Sequence, residues 1–300
     1  MPTRPGVEAA VRLTKLVSEP SIWSTIESKY DSMLVAKKGG NQELLELDKK
    51  CEELGRKLRR SLTTMMDIGN NEEREKEWDE ENKENYNHKE NDDKENNDSL
   101  DIPCVSREDL FTIMKWKFSK GKSRPLWKYL NSNTEESVQR HSKASFEIAS
   151  RETIKDDHGD DSICNTNIIS ESIKEMCKLS GVGPASSSAI LSLLRPDLFV
   201  FMDDEVIECL HKGKREYTLK VYLNINDKCQ TIATQLGEGW DVRRVGRALW
   251  TAATISAYSD EEDLTLSKQE KNEVVGKFCN DTKSNTQVKA RRSSKRRRTS

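Results

Sequence analysis

The chain has 300 residues, 34% of them hydrophobic and 34% charged, and its 50 basic and 52 acidic side chains leave a net charge of −2. No apolar run approaches the length of a membrane-spanning helix, and the opening Met-Pro-Thr-Arg-Pro-Gly lacks the apolar stretch of a secretory signal, so a soluble protein is expected. Seven cysteines are scattered without a Cys-x-x-Cys pair and the four histidines are isolated. That pattern argues against a disulfide framework and a zinc site, and it leads us to expect reduced thiols, no metal and no small-molecule cofactor.

The hydrophobic pattern is helical almost throughout, which predicts an all-α protein. Residues 7–18 and 21–38 read as two helices split at Glu19-Pro20, because a proline disfavours helical geometry in the residue before it. A third spans 41–66, where Leu47, Cys51, Leu54, Leu58, Leu62 and Met65 recur at three- and four-residue steps and form a packing stripe. These helices make up residues 1–67, either as a separate unit or packed on the main helical domain. Residues 70–98 carry 13 acids against 5 lysines and arginines, with Trp78 and Tyr86 as their bulky apolar groups. Such a stretch buries too little surface to offset its ordering entropy, so residues 68–101 read as an acidic, disordered linker.

Residues 102–259 read as the main helical domain. Ser106-Arg-Glu-Asp109 has the spacing of a capping box and opens a helix with Leu110, Ile113, Met114 and Phe118 inward. Residues 115–124 (KWKFSKGKSR) hold five cations, two aromatics and no acid, ahead of Pro125 and Leu126-Trp127-Lys128-Tyr129. Two readings stand: a surface in which Trp116, Lys117, Lys122 and Arg124 touch nucleic acid, or a core containing Trp116, Phe118 and Trp127 with lysines on its rim. A helix over 135–150 leads into 151–167, where Asp156-Asp157 and Asp160-Asp161 flank His158-Gly159. That loop lacks the ligand spacing of a calcium site and reads as solvated surface.

Leu179-Ser-Gly-Val-Gly-Pro184 is the most informative stretch. Glycines allow close backbone approach, and Pro184 suits the first turn of a new helix. Ile169, Ile173, Met176 and Cys177 define a one-faced helix before it, and Ala185, Ala189, Ile190, Leu193 and Leu194 another after it. The free amides at such a helix start, with the positive end of the helix dipole behind them, attract phosphate. Gly181, Val182, Gly183, Ser186 and Ser187 are therefore candidate contacts to a nucleic-acid backbone, with DNA as the leading partner.

Together with Phe201-Met-Asp203, this hairpin resembles the helix-hairpin-helix and Gly/Pro-Asp segment of the HhH-GPD superfamily of base-excision DNA glycosylases. More closely, the Trp-Lys-x4-Lys-x-Arg-Pro run of residues 116–125, the Gly-Val-Gly-Pro-Ala hairpin and the Phe-Met-x-Asp-Glu motif resemble a little-characterised eukaryotic helix-hairpin-helix family, over residues 106–258. That family brings no established activity. The glycosylase resemblance implies a helical domain with closing helices near 224–236 and 241–258, and a catalytic aspartate at Asp203, with Asp204 beside it as a second candidate. A fixed carboxylate there would stabilise the positive sugar of a breaking N-glycosidic bond or activate water, after the base is turned out of the duplex. The position that holds lysine in bifunctional members is Ala185, which implies a monofunctional enzyme. Three departures weigh against chemistry: Asp203-Asp204-Glu205 is a run of adjacent carboxylates, only Cys279 lies beyond the closing helix, which excludes the superfamily's iron–sulfur cluster, and Asp203 or Asp204 can simply cap the helix that begins at Glu205.

Residues 260–300 read as a disordered tail. Its last dozen positions hold Lys289, Arg291, Arg292, Lys295, Arg296, Arg297 and Arg298 and no acid, a pattern suited to nuclear-import machinery or to phosphate. The expectation is thus a nuclear DNA-binding protein with a glycosylase-like helical domain, or the same fold serving as a nucleic-acid-binding or protein-docking module without chemistry.

Overall fold

A computed structural model describes residues 5–81, 102–121, 125–151 and 162–258. Those residues are all-α, with no strand among them. In chain order the helices are α1 (Pro5–Leu13), α2 (Pro20–Glu27), α3 (Tyr30–Ala36), α4 (Glu43–Glu81), α5 (Arg107–Lys120) and α6 (Trp127–Leu130). They continue with α7 (Glu135–Ser150), α8 (Ser162–Met176), α9 (Pro184–Leu194), α10 (Asp204–Leu210), α11 (Leu219–Leu236) and α12 (Val242–Tyr258). The basic tail, Lys122, Arg124, residues 82–101 and the Asp156–Asp161 loop lie outside the described residues.

Several helices differ from the sequence expectation: α1 stops at Leu13 rather than 18, α8 begins at Ser162 inside the stretch read as loop, and α11 begins at Leu219 rather than 224. The apolar pattern of residues 21–38 is not one helix: it breaks at Ser28 and Lys29, where Lys29 takes φ −88° and ψ 0°. The break re-aims the chain so that Trp23 and Ile26 before it, and Tyr30, Met33 and Leu34 after it, are all buried. The third helix does not stop near residue 66 but continues to Glu81, into the acidic stretch read as linker. Residues 72–81 are mostly Glu, Lys and Arg, which have good intrinsic helix propensity.

The chain divides into two compact units. The first draws on the chain up to Leu45, Met202–Glu216 and the chain from Asn224 onward. In it α12 is central, packing on α1, α2, α3 and α10. Trp250 is fully buried and meets Tyr30 edge-on at 5.2 Å between ring centres, and Trp23 meets Trp240 in the same manner at 5.9 Å. Rings of this size supply about 2 kcal/mol or more each on burial, with specific ring geometry adding to it. A Cβ at Gly6 would collide with the carbonyl of Ala253, so the close seat of α1 on α12 requires glycine.

The second unit comprises Glu46–Phe201 and Tyr217–Leu223. Here α9 is the hub: every residue from Ala185 to Leu194 is buried, and α5, α7 and α8 pack around it. The sequence pattern had assigned it one apolar face. Its serines are what permit burial on all sides, since Ser188 and Ser192 donate their hydroxyls to the helix carbonyls of Ala185 and Ala189 at 3.1 and 3.2 Å. Satisfied in this way, small side chains let neighbouring helices approach closely. The capping box forms at the start of α5, where the Ser106 hydroxyl accepts from Asp109 N at 3.0 Å and the Asp109 carboxylate accepts from Ser106 N at 3.1 Å.

Candidate nucleic-acid interface

The glycine turn between α8 and α9 is built from both of its ends. Gly181 has φ +77°, the left-handed region, and a Cβ there would lie 3.0 Å from Tyr129 Cβ and 3.2 Å from Leu130 N. Gly183 precedes α9 as its N-cap, with open space where its Cβ would be. Within the turn, Val182 N–H donates to Leu179 O at 3.1 Å, while Ser186 and Ser187 N–H both donate to Gly183 O at 2.8 and 2.9 Å. Those amides are engaged inside the fold.

Asn133, which the sequence reading passed over, holds this turn in place. Its carboxamide donates to Ser180 O at 2.9 Å and to Leu130 O at 3.0 Å, and it accepts from Ser180 N at 2.8 Å. Arg107 secures the same loop from the other side, donating to Asn133 O at 3.1 Å and Asn131 O at 3.2 Å. The only sequence signal was indirect: Asn131-Ser-Asn-Thr134 is a run of turn-forming and capping residues, and Thr134 does cap α7.

The clasp sets the turn beside a cluster of aromatics and cations. Trp127 is 36% exposed and Tyr129 47%, and among the described residues they are the two large apolar side chains that stand out to solvent. Phe111 stacks on Trp127 at 5.9 Å with the rings 8° from parallel, and Phe118 meets Trp127 edge-on at 5.3 Å. Lys117 lies 5.0 Å from the Phe118 ring, Lys128 4.7 Å from Tyr129, and Arg107 5.0 Å from Phe111. A groove of about 560 Å³ runs between Arg107, Glu108, Phe111, Asn133, Thr134 and Glu135.

Several candidates from the sequence fall elsewhere. Trp116, for which a stacking surface and a place in the core were both open, is core at 1% exposed; its indole donates to Asp48 at 2.9 Å and its ring packs against Phe201 at 5.0 Å. A nucleobase does not reach it, because a hydrogen-bond partner 68 positions away in sequence draws it into the core. Lys120 is buried with it, 5.7 Å from the Trp116 ring. Ser186 and Ser187 are buried as well, and the Ser187 hydroxyl donates to Gly183 O at 3.2 Å and lies 3.2 Å from Cys177 Sγ. Gly181, Val182 and Gly183 make up the turn itself, and Lys117 lies on its aromatic rim.

The aspartate run belongs to the first unit. Asp203 is the N-cap of α10 and 3% exposed, with its carboxylate accepting from Asp204 N at 3.0 Å. Asp204 and Glu208, one turn apart on α10, share Arg215, whose guanidinium donates to them at 2.7 and 2.6 Å. Glu205 takes Lys37, at 2.9 Å, and the Lys37 ammonium lies 5.1 Å from the Trp250 ring. Burial and, after it, the negative charge of Asp203 push the Glu205 carboxyl above its usual range, with Lys37 offsetting part of the rise. Each of the three adjacent acids therefore has a structural partner, and one of those partners, Lys37, is 168 positions away in sequence.

Among the described residues no group of three or more His, Cys, Asp or Glu side chains is disposed to hold a metal ion, and no helix is long and apolar enough to cross a membrane. The chain matches no protein-family model, no curated protein and no solved structure.

Proposed function

We propose that this chain is a nuclear nucleic-acid-binding protein, of helix-hairpin-helix type, that grips a phosphate backbone with the turn at Gly181–Gly183. One observation carries the reading. Asn133 clasps the glycine turn at Ser180, and Gly181 of that turn lies against Tyr129, which with Trp127 is exposed and has Lys128 over its ring, while Lys117 lies over the neighbouring Phe118. Cations and exposed rings beside a tight glycine turn that a phosphate backbone can approach closely are the chemistry that phosphates and bases require. DNA is the partner we favour, the basic residues from Lys289 to Arg298 supply the import signal, and Lys122 and Arg124 add two more cations in sequence between Lys117 and Lys128.

Base excision has less support than binding alone. The candidate carboxylate Asp203 is buried and caps α10, and Asp204 is committed to Arg215. A helix cap and a buried ion pair account for both acids without a reacting sugar.

Fluorescence anisotropy of a labelled duplex across a salt series tests the proposal. Wild type should bind with affinity that falls steeply as salt rises, and Gly183→Glu should lose most of it while keeping its melting temperature, since nothing lies within 4 Å of the added Cβ. Equal affinity of wild type and Gly183→Glu would overturn the hairpin as the gripping element. Base release from a damaged duplex, lost in Asp203→Asn, would restore the catalytic reading.

A further inference from the structure

We infer that Trp127 and Tyr129 form a stacking platform for an unpaired nucleobase, so that the chain prefers nucleic acid in which a single-stranded segment adjoins the duplex held at the glycine turn. The inference rests on the proposed phosphate grip and adds the class of substrate to it.

Exposure singles out the pair. The other large apolar side chains of the described residues are covered to a greater degree, yet these two, separated by one residue, remain open at 36% and 47%. Leaving two rings partly in water forgoes some of the stabilisation their burial would bring, and exposed ring surface beside cations is what base stacking uses.

The Trp127 ring is also held in place, and Tyr129 stands next to the turn. Trp127 is fixed by Phe111 stacked parallel to it and by the Phe118 edge, so the indole is held in one plane rather than free to rotate. A pre-set ring loses little conformational freedom when a base stacks on it. Tyr129 starts at the glycine turn: its Cβ lies 3.0 Å from where a Cβ on Gly181 would stand, so its side chain leaves the backbone beside the turn.

Charge points to the same occupant. Lys117 and Lys128 lie against the rings of Phe118 and Tyr129. The acids of this face, Glu108 and Glu135, line the groove with Phe111 and Asn133, of which Trp127 and Tyr129 are not part. Cations beside exposed rings suit a base that carries its own phosphate, and a paired base offers no open face away from a duplex end. A base beside the gripped phosphate therefore meets Tyr129 only where pairing has ended.

The test compares a blunt duplex with the same duplex carrying a short single-stranded overhang, in DNA and RNA versions, by anisotropy with full-length protein. Wild type should favour the overhang by about tenfold, the effect of one stacked base. Tyr129→Ala should narrow that preference by costing the overhang duplex several-fold more affinity than the blunt duplex, and Trp127→Leu, which keeps an apolar group against Phe111, should do the same. Equal wild-type affinity for the two duplexes would overturn the platform, and so would an equal loss on both in Tyr129→Ala. The phosphate grip fails separately, by absence of salt-dependent binding to the blunt duplex; a chain that bound single strands alone would keep the platform and lose the grip. Preference for one of the two sugars decides between DNA and RNA.

Discussion

The Asn133 carboxamide and the Ser180 backbone form a reciprocal pair, with Ser180 N donating to Asn133 Oδ1 at 2.8 Å and Asn133 Nδ2 donating to Ser180 O at 2.9 Å. Two bonds with a single backbone unit fix both position and orientation of the turn. Asn133→Ala leaves a half-buried amide and carbonyl unsatisfied, and should cost about 2 kcal/mol in denaturant unfolding. Hydrogen exchange would locate the loss at residues 179–183. Unchanged exchange there would show that the turn is held by something other than Asn133.

The two glycines of the turn should part company. Gly181→Ala strains a residue at φ +77° and crowds Tyr129 and Leu130, so destabilisation of about 1–2 kcal/mol is expected from the melting curve. Gly183→Ala, at an extended backbone with open space around it, should alter the melting temperature little. Similar losses from both substitutions would contradict this division of labour.

Arg215 is the shared partner of Asp204 and Glu208, and all three side chains are mostly buried. Arg215→Met removes the cation but keeps much of the volume, leaving two carboxylates of like charge one helical turn apart. Loss of about 3 kcal/mol is expected in chemical denaturation. Adding Asp204→Asn and Glu208→Gln to that variant should recover a large part of it, because the cost lies in the stranded charges. Failure to recover would place the cost in lost packing by the arginine stem.

Local grammar made several elements legible in sequence: the capping box at Ser106, the break before Pro20 and the glycines between α8 and α9 all act within a few residues. What stayed hidden acts at a distance. Trp116 sits among cations in sequence, and only its bond to Asp48 shows it to be core. The run Asp203-Asp204-Glu205 reads as three repelling charges until Lys37 arrives from a distant segment and Arg215 folds back from just beyond α10. Asn133 looks like any turn asparagine, since its partner Ser180 is 47 positions away. Burial of α9 on all sides was equally unreadable, because serines count as polar in a periodicity argument while their hydroxyls are satisfied within the helix.

Cys209 and Cys229 are buried in the first unit, and burial pushes the Cys209 thiol up to about 12 and that of Cys229 higher still, despite the ammonium of Lys228 nearby. Thiolate is the reacting form, so both should resist a thiol-specific reagent at neutral pH in the native protein and react once it is unfolded. Rapid native labelling of either, located by mass spectrometry, would mean that the α10 region opens readily.

Glu205 carries the pH prediction. Its folded carboxyl is raised above the ordinary range, first by burial and then by Asp203, so the native state holds this proton to higher pH than the unfolded chain does. Where the native state binds more protons, stability falls as pH rises. The contribution is fully present below the unfolded glutamate value and is lost as pH climbs through the raised folded value. Glu205→Gln cannot lose a proton, so its stability relative to wild type should increase on going from mildly acidic to neutral pH. It also gives up the charge on the Lys37 pair, which lowers the variant's stability at neutral pH but does not reverse the slope, because Lys37 is already included in the net upward shift. Paired melting curves at several pH values measure the difference directly, and a difference that stays flat or falls with pH would show that Glu205 is ionised at its ordinary value in the folded protein.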